Sequence, residues 1–315
     1  VNLSVTDAAG HVAVDGLTAT VVDDTPPVAD AGPDVAVDEG ATVTLDASGS
    51  GDNVGIVSWS WSFTEGGNPV LSDDELWERE FDLPGTFTVT LLVEDAAGLQ
   101  GADTMNVTVR DTTAPDPGHQ GEVTTDQGVE VVFDGSASTD NVGVITWRWE
   151  FTYGGTDRVL EGETARFVFD VPGVYDVTLS VEDGAGNSGG SGFQVRVRDT
   201  EAPSLPSMED IEAGRGDTVT LDATGATDNV GVVRWTWAFE EGGEVVTLEG
   251  EMVEHAFDVP GVYDVTLAVA DAEGNEATET FTVNVTGVEW WWVVAAMIVV
   301  VLIIGPIALV RRSKD

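Results

Sequence analysis

The tetrapeptide DNVG begins at Asp52, Asp140 and Asp228, one step of 88 residues each time (140 − 52 = 88). Around each copy stands an equivalent acidic set. In the first it is Asp24 upstream, Asp52 and Asn53 within, and Asp95 downstream. The second has Asp111, Asp140, Asn141 and Asp183, and the third Asp199, Asp228, Asn229 and Asp271. Three carboxylates and an amide supply hard oxygens; with backbone carbonyls and water they make up the roughly six to eight ligands that Ca2+ takes. Brought together without a cation, the carboxylates repel one another. The competing reading is that Asp and Asn cap turns, as they do in most loops. Asp46, Asp134 and Asp222 fit that bracing role rather than a ligating one. One further step after Asp199 stands Gly287, where no fourth repeat follows.

Such sets form only if the segments that carry them meet. Within each repeat the apolar residues recur with a period of two, the mark of strands with one buried face. Val57, Trp59, Trp61 and Phe63 alternate with serines, and Ile145, Trp147, Trp149 and Phe151 with Thr146, Arg148, Glu150 and Thr152. Beyond a Pro-Gly turn the pattern returns in Tyr175, Val177, Leu179 and Val181, and again in Tyr263, Val265, Leu267 and Val269. Two inward faces of this kind make a sandwich core. A unit of 88 residues suits an immunoglobulin-like sandwich. In that fold the incoming linker, the loop between the second and third strands, and the loop between the last two strands share one pole. Those are the three places where the acids stand.

TLDAS from Thr44, VFDGS from Val132, the Trp-x-Phe strand and PGVYDVTLSVED from Pro172 together resemble the PKD (polycystic-kidney-disease-type) domain family of archaeal and bacterial cell-surface proteins. The resemblance covers Thr25 to Gly287 and a partial unit before it, and it implies an all-β chain of tandem sandwiches. One loop departs from the family. Where the family reads Trp-Asp-Phe-Gly-Asp-Gly, this chain has WSFTEGG, WEFTYGG and WAFEEGG from Trp61, Trp149 and Trp237, so no role of that loop carries over. The linkers DTTAP and DTEAP, each followed by TDNVG, are similar to the archaeal variant of the repeat.

The expected organisation is therefore a hairpin of a further repeat (1–24), three sandwiches (25–111, 112–199 and 200–287), a transmembrane helix (288–310) and a short tail (311–315). The hairpin rests on VNLSVTDAAG at Val1, which aligns with VTLLVEDAAG at Val89 and VTLSVEDGAG at Val177. From Trp290 to Val310 the chain is apolar throughout. At about 1.5 Å per residue that run spans roughly 30 Å as a helix, a bilayer core. Trp290, Trp291 and Trp292 open it, and Arg311, Arg312 and Lys314 close it, which places the tail in the cytoplasm. The expected topology is single-pass type I in the cell membrane, with the sandwiches outside.

Fifty-seven acidic residues against 12 basic ones give a formal charge of −45. So negative a field excludes nucleic acid as a partner of these domains. It is explained by cation binding, by a saline medium that screens repulsion, or by both. With no cysteine, disulfides and thiolate metal sites are excluded. Several short matches have bland explanations. GAGNSGG contains G-x-G-x-x-G and G-x-S-x-G patterns, but lies in a turn between strands rather than between a strand and a helix. Arg215, Gly216 and Asp217 fill the turn that DEG and DQG fill in the other repeats. His11, His119 and His255 occupy non-equivalent positions, so no catalytic set is expected. Sequons stand at Asn2, Asn106 and Asn284. The leading expectation is a stalk whose joints are stiffened by Ca2+, at roughly 30 Å per sandwich. Two alternatives stand beside it: an adhesin binding an extracellular protein or glycan through exposed aromatics such as Trp77, and the anchor of an enzyme whose catalytic domain precedes Val1.

Overall fold

The computed structural model describes residues 1–287; the expected transmembrane helix and tail lie outside the described residues. Among the described residues no helix is long and apolar enough to cross a membrane. β1 (Asn2–Thr6) and β2 (Val12–Gly16) form an antiparallel hairpin. Seven strands follow in each repeat. The first has β3 (Val35–Asp38), β4 (Ala41–Asp46), β5 (Ile56–Glu65), β6 (Asn68–Ser72), β7 (Leu76–Phe81), β8 (Gly85–Asp95) and β9 (Gln100–Arg110). The second has β10 (Val123–Asp126), β11 (Glu130–Asp134), β12 (Val144–Tyr153), β13 (Thr156–Glu161), β14 (Thr164–Val168), β15 (Gly173–Asp183) and β16 (Ser188–Arg198). The third has β17 (Ile211–Gly214), β18 (Thr218–Asp222), β19 (Val232–Glu241), β20 (Glu244–Glu249), β21 (Met252–Ala256), β22 (Gly261–Asp271) and β23 (Glu276–Thr286).

Each repeat pairs these strands the same way, as a five-stranded sheet ordered β3-β9-β8-β5-β6 and a two-stranded sheet β4-β7 in the first. The first strand of the larger sheet runs parallel to the last, β3 with β9, while the other pairs are antiparallel. The all-β reading holds for every described element. The described residues divide into two compact units, one of Val1–Gln120, Phe133–Ala165 and Thr178–Gly192, the other of Gly121–Val132, Arg166–Val177 and the described chain from Phe193.

In the first unit Trp61 is fully buried and anchors the core together with Phe63, Phe81 and Leu91. Its indole N–H donates to the Asp74 carbonyl at 3.1 Å, so burial leaves no donor unsatisfied there. Trp149 repeats the arrangement on the Gly162 carbonyl at 3.0 Å, stacked on Phe133. In the second unit Trp237 does so on the Gly250 carbonyl at 2.9 Å, within a core of Leu221, Phe257 and Leu267. Tyr175 donates its hydroxyl to the Val171 carbonyl at 2.7 Å, closing the corner before its strand, and Tyr263 does the same to Val259.

The alternating pattern is corrected at two residues. The pairing of β5 with β8 slips between Ile56 and Ser58, and that of β12 with β15 between Val144 and Thr146. An extra residue at each bulge breaks the period of two, so Val57 and Ile145 point outward, 58% and 65% exposed, while Ile56 packs against the core. Trp77 is half-buried, packed against the core with its ring 6.0 Å from that of Phe63.

The two classes of position separate on denaturation. Trp61→Ala should cost about 3–5 kcal/mol of unfolding free energy through the cavity it leaves. Val57→Ser, on the outer side of the bulge, should stay within about 0.5 kcal/mol of the parent chain in the same urea titration.

Candidate metal centre

The DNVG loop has a local explanation. Asp52 Oδ2 accepts the backbone N–H of Val54 at 2.8 Å and of Gly55 at 2.7 Å. Gly55 has φ of 132°, a conformation in which a side chain is strained. Asp140 and Asp228 hold their loops identically, through Val142 and Gly143 and through Val230 and Gly231. One oxygen of each aspartate is thus spent on its own turn. The other, Oδ1, is buried in all three and accepts no hydrogen bond.

At the end of the following long strand lie Asp95, Asp183 and Asp271, which are 1%, 1% and 3% exposed. Asp95 Oδ1 accepts the N–H groups of Ala97 and Leu99 at 2.8 and 2.9 Å, closing the β8–β9 turn. Asp183 Oδ1 takes those of Ala185 and Asn187, and Asp271 Oδ1 those of Gly274 and Asn275. Their second oxygens differ. Asn187 Nδ2 donates to Asp183 Oδ2 at 2.8 Å and Asn275 Nδ2 to Asp271 Oδ2 at 2.7 Å. In the first repeat Leu99 stands in that place, and Asp95 Oδ2 is left buried without a partner.

The third contribution comes from the linker. A β-bridge between Val28 and Gly51 pins the first linker beside the loop, and bridges of Asp116 to Thr139 and Ser204 to Thr227 do so later. Close approach also needs Gly101 and Gly189, since a Cβ at either would lie 2.0 Å from the carbonyl oxygen of Pro27 or Pro115. Gly189, part of the phosphate-loop-like pattern, therefore serves linker packing.

One carboxylate oxygen from each of Asp23, Asp52 and Asp95 lies within 4.8 Å of the others, and the same holds for Asp111, Asp140 and Asp183 and for Asp199, Asp228 and Asp271. The structure brings Asp23 to the first group. Asp24, expected there, is exposed and outside it. The 88-residue step back from Asp111 lands on Asp23, and the doublet Asp23-Asp24 hid that offset by one. The asparagines enter as donors: Asn53 Nδ2 to Asp23 Oδ1 at 3.1 Å, and Asn229 Nδ2 to Asp199 Oδ1 at 3.2 Å. Asn141 Nδ2 instead reaches Glu39 Oε2 at 2.8 Å, a residue that the sequence reading treated only as part of a turn. Asp46, Asp134 and Asp222 each accept a backbone N–H two residues on and brace their turns.

Hydrogen bonding fixes the charge state. The N–H groups of Gly55 and then Val54 hold the Asp52 carboxyl below its ordinary range. Burial pushes Asp183 and Asp271 up, but the side-chain and backbone donors of Asn187 and Asn275 outweigh it and both settle low. Each group thus contains one carboxyl whose charged form the protein's own donors favour.

Fold and site together define a tandem array of immunoglobulin-like sandwiches with an acidic cluster at each linker. The chain belongs to the PKD domain family, whose profile matches residues 24–109, 112–197 and 200–285. It is 28% identical over 325 residues to the dyslexia-associated protein KIAA0319 homolog of Rattus norvegicus, covering 90% of this chain and 28% of that protein. To the KIAA0319-like protein of Mus musculus it is 29% identical over 315 residues, covering 89% and 29%. The chain thus spans under a third of the length of these relatives. Among solved structures, titin domains I67–I69 align over 83% of this chain and 98% of that one, at 13% identity and a TM-score of 0.43.

Carboxyls depressed in the folded state add stability that is complete above the ordinary carboxylate range, about pH 4, and is lost as pH falls through their folded values. Unfolding free energy should therefore decline with acid below that range. Asp183→Asn removes one titrating group, so its decline should be shallower; an equal slope would assign the acid loss to other carboxyls.

Proposed function

We propose that this chain is an extracellular, membrane-anchored spacer whose sandwich junctions are stiffened by Ca2+. The observation that carries the cation is the set of buried carboxylate oxygens without a partner: Asp52 Oδ1 and Asp95 Oδ2, Asp111 Oδ2 and Asp140 Oδ1, and Asp199 Oδ2 and Asp228 Oδ1. A buried anionic oxygen that accepts nothing is costly, and two of them side by side are worse. A hard divalent cation relieves both costs at once, since aspartate oxygens are its preferred ligands.

The ligands would be the aspartates of each group, with backbone carbonyls and water completing the shell. Because one comes from the linker and two from loops of the following sandwich, a bound ion joins the linker to that sandwich. The protein's own hydrogen bonds pre-position the oxygens, so binding spends little on ordering the loops. Anchoring is supported by the run Trp290–Val310 with its tryptophan and basic flanks. That topology puts the clusters outside the cell, where millimolar-range Ca2+ sites are adequate.

Calorimetric titration of the full chain should count three Ca2+ sites, and melting should occur higher in calcium than in chelator. At a hundredfold excess over its Kd each ion adds about 2.7 kcal/mol. Asp199→Asn should melt below the parent chain in calcium yet no lower than it in chelator, where loss of one repelling charge is a relief. Identical melting of the parent chain in both buffers would sink the cation. Separately, truncation before Val288 should release the protein from the membrane fraction into the soluble one.

A further inference from the structure

Asn141 and Asn229 follow directly after cluster aspartates, yet their amides point back toward the preceding sandwich. Glu39 sits at the tip of the β3–β4 turn, its N–H held by the Arg110 carbonyl at 3.0 Å. Its side chain crosses to the next repeat. Oε1 accepts the backbone N–H of Thr112 and the hydroxyls of Thr112 and Thr113, while Oε2 accepts Asn141 Nδ2 at 2.8 Å. These donors, the Thr113 hydroxyl first, hold the Glu39 carboxyl below its ordinary range. Gln127 occupies the equivalent turn between β10 and β11. Its N–H is held by the Arg198 carbonyl at 3.0 Å, and its Oε1 accepts Asn229 Nδ2 at 3.2 Å. Asn229 Nδ2 also donates to cluster residue Asp199.

We propose that Asn141 and Asn229 are relays rather than ligands: each ties the loop that feeds a carboxylate cluster to the turn tip of the preceding sandwich, through Glu39 at one junction and Gln127 at the next. This rests on the cation reading above and supplies what that reading lacks, because the aspartates alone join an ion only to the linker and the following sandwich. Ordering of the DNVG loop by the ion reaches the preceding sandwich through the asparagine amide and the turn residue. The two junctions differ in kind. Charged Glu39 grips both linker threonines as well as Asn141, whereas neutral Gln127 makes one bond to the loop and reaches Glu201 at 3.5 Å. The turn residue, Glu39 in one repeat and Gln127 in the next, is a positioning residue of the joint.

The chain has no cysteine, so Thr64→Cys and Thr156→Cys, on exposed positions of the first and second sandwiches, take a pair of spin labels cleanly. Distance distributions between them are recorded on the full chain with Ca2+ and with chelator, alongside calorimetric binding of Ca2+. The parent chain should narrow its distribution with Ca2+. Glu39→Ala should lose that narrowing, whereas Glu39→Gln, which keeps an acceptor for Asn141, should retain it. Both variants shed the same charge, so an equal drop in Ca2+ affinity in the two separates charge from latch. Asn141→Ala should broaden the distribution as Glu39→Ala does, with three ions still bound. Normal narrowing in Glu39→Ala would overturn the relay while leaving the cation reading intact. If the parent chain binds no Ca2+, the cation reading falls, and the comparison in chelator still judges the latch: a broader Glu39→Ala distribution upholds it and an identical one overturns it.

Discussion

Everything distinctive in this chain depends on how each cluster aspartate divides its two oxygens. One oxygen of Asp52 is consumed by the N–H groups of Val54 and Gly55, one of Asp95 by those of Ala97 and Leu99. Such charge-assisted bonds to backbone donors fix both the turn and the carboxylate orientation. The remaining oxygen then has no freedom to turn toward water. Because two loops and a linker are constrained in this way at one end of each sandwich, unpartnered anionic oxygens converge there. Turn-capping and the proposed cation binding, which compete as readings of the sequence, thus draw on different oxygens of one carboxylate.

The sandwich supplies the rigid frame that this arrangement requires. Buried tryptophans at Trp61, Trp149 and Trp237 fix the strand that leaves the DNVG loop, and long strands β8, β15 and β22 carry the second aspartate at their ends. With the core packed and the indole donors of these three tryptophans satisfied, the loops inherit positions that vary little from repeat to repeat. Each linker is held by its own β-bridge, and in the first two repeats Gly101 and Gly189 let it approach the sheet edge. Packing sets where the acids stand, and local hydrogen bonds set which way they face.

Most of the fold was legible because its signals are periodic: alternation of apolar residues marks the strands, and the 88-residue step marks the repeats. What escaped was whatever breaks a period or lies between repeats. A bulge adds one residue to a strand without any compositional mark, so Val57 and Ile145 were placed on the wrong face. The doublet Asp23-Asp24 offered two acids for one position, and only the repeat offset decides between them. Glu39 was hidden for another reason. Its partners Thr112, Thr113 and Asn141 are remote in sequence and belong to the next repeat, a relationship that reading one repeat against another does not expose. Comparison of positions 39, 127 and 215 within their common turn shows Glu, Gln and Arg, a variation that looks like tolerance until the contacts are known.

The three clusters share a plan but are not copies, and the difference lies in one residue after the second aspartate. Asn187 spans from Asp183 Oδ2 to the Asp111 carbonyl at 3.3 Å, and Asn275 from Asp271 Oδ2 to the Asp199 carbonyl at 3.2 Å. In both, the linker is tied to the turn by protein alone, and the second aspartate has its charge partly compensated. Leu99 has no side-chain donor, so the first cluster has no counterpart to this bridge. Its linker aspartate is met by Asn53, and Asp95 keeps a bare buried oxygen. Each cluster keeps two bare buried oxygens, but the one that lies on Asp95 in the first lies on the linker aspartates Asp111 and Asp199 in the others, where an asparagine ties linker to turn. A repeat that looks uniform at the level of its aspartates thus leaves its bare oxygens on different aspartates, and ties its linkers by different residues, along the chain.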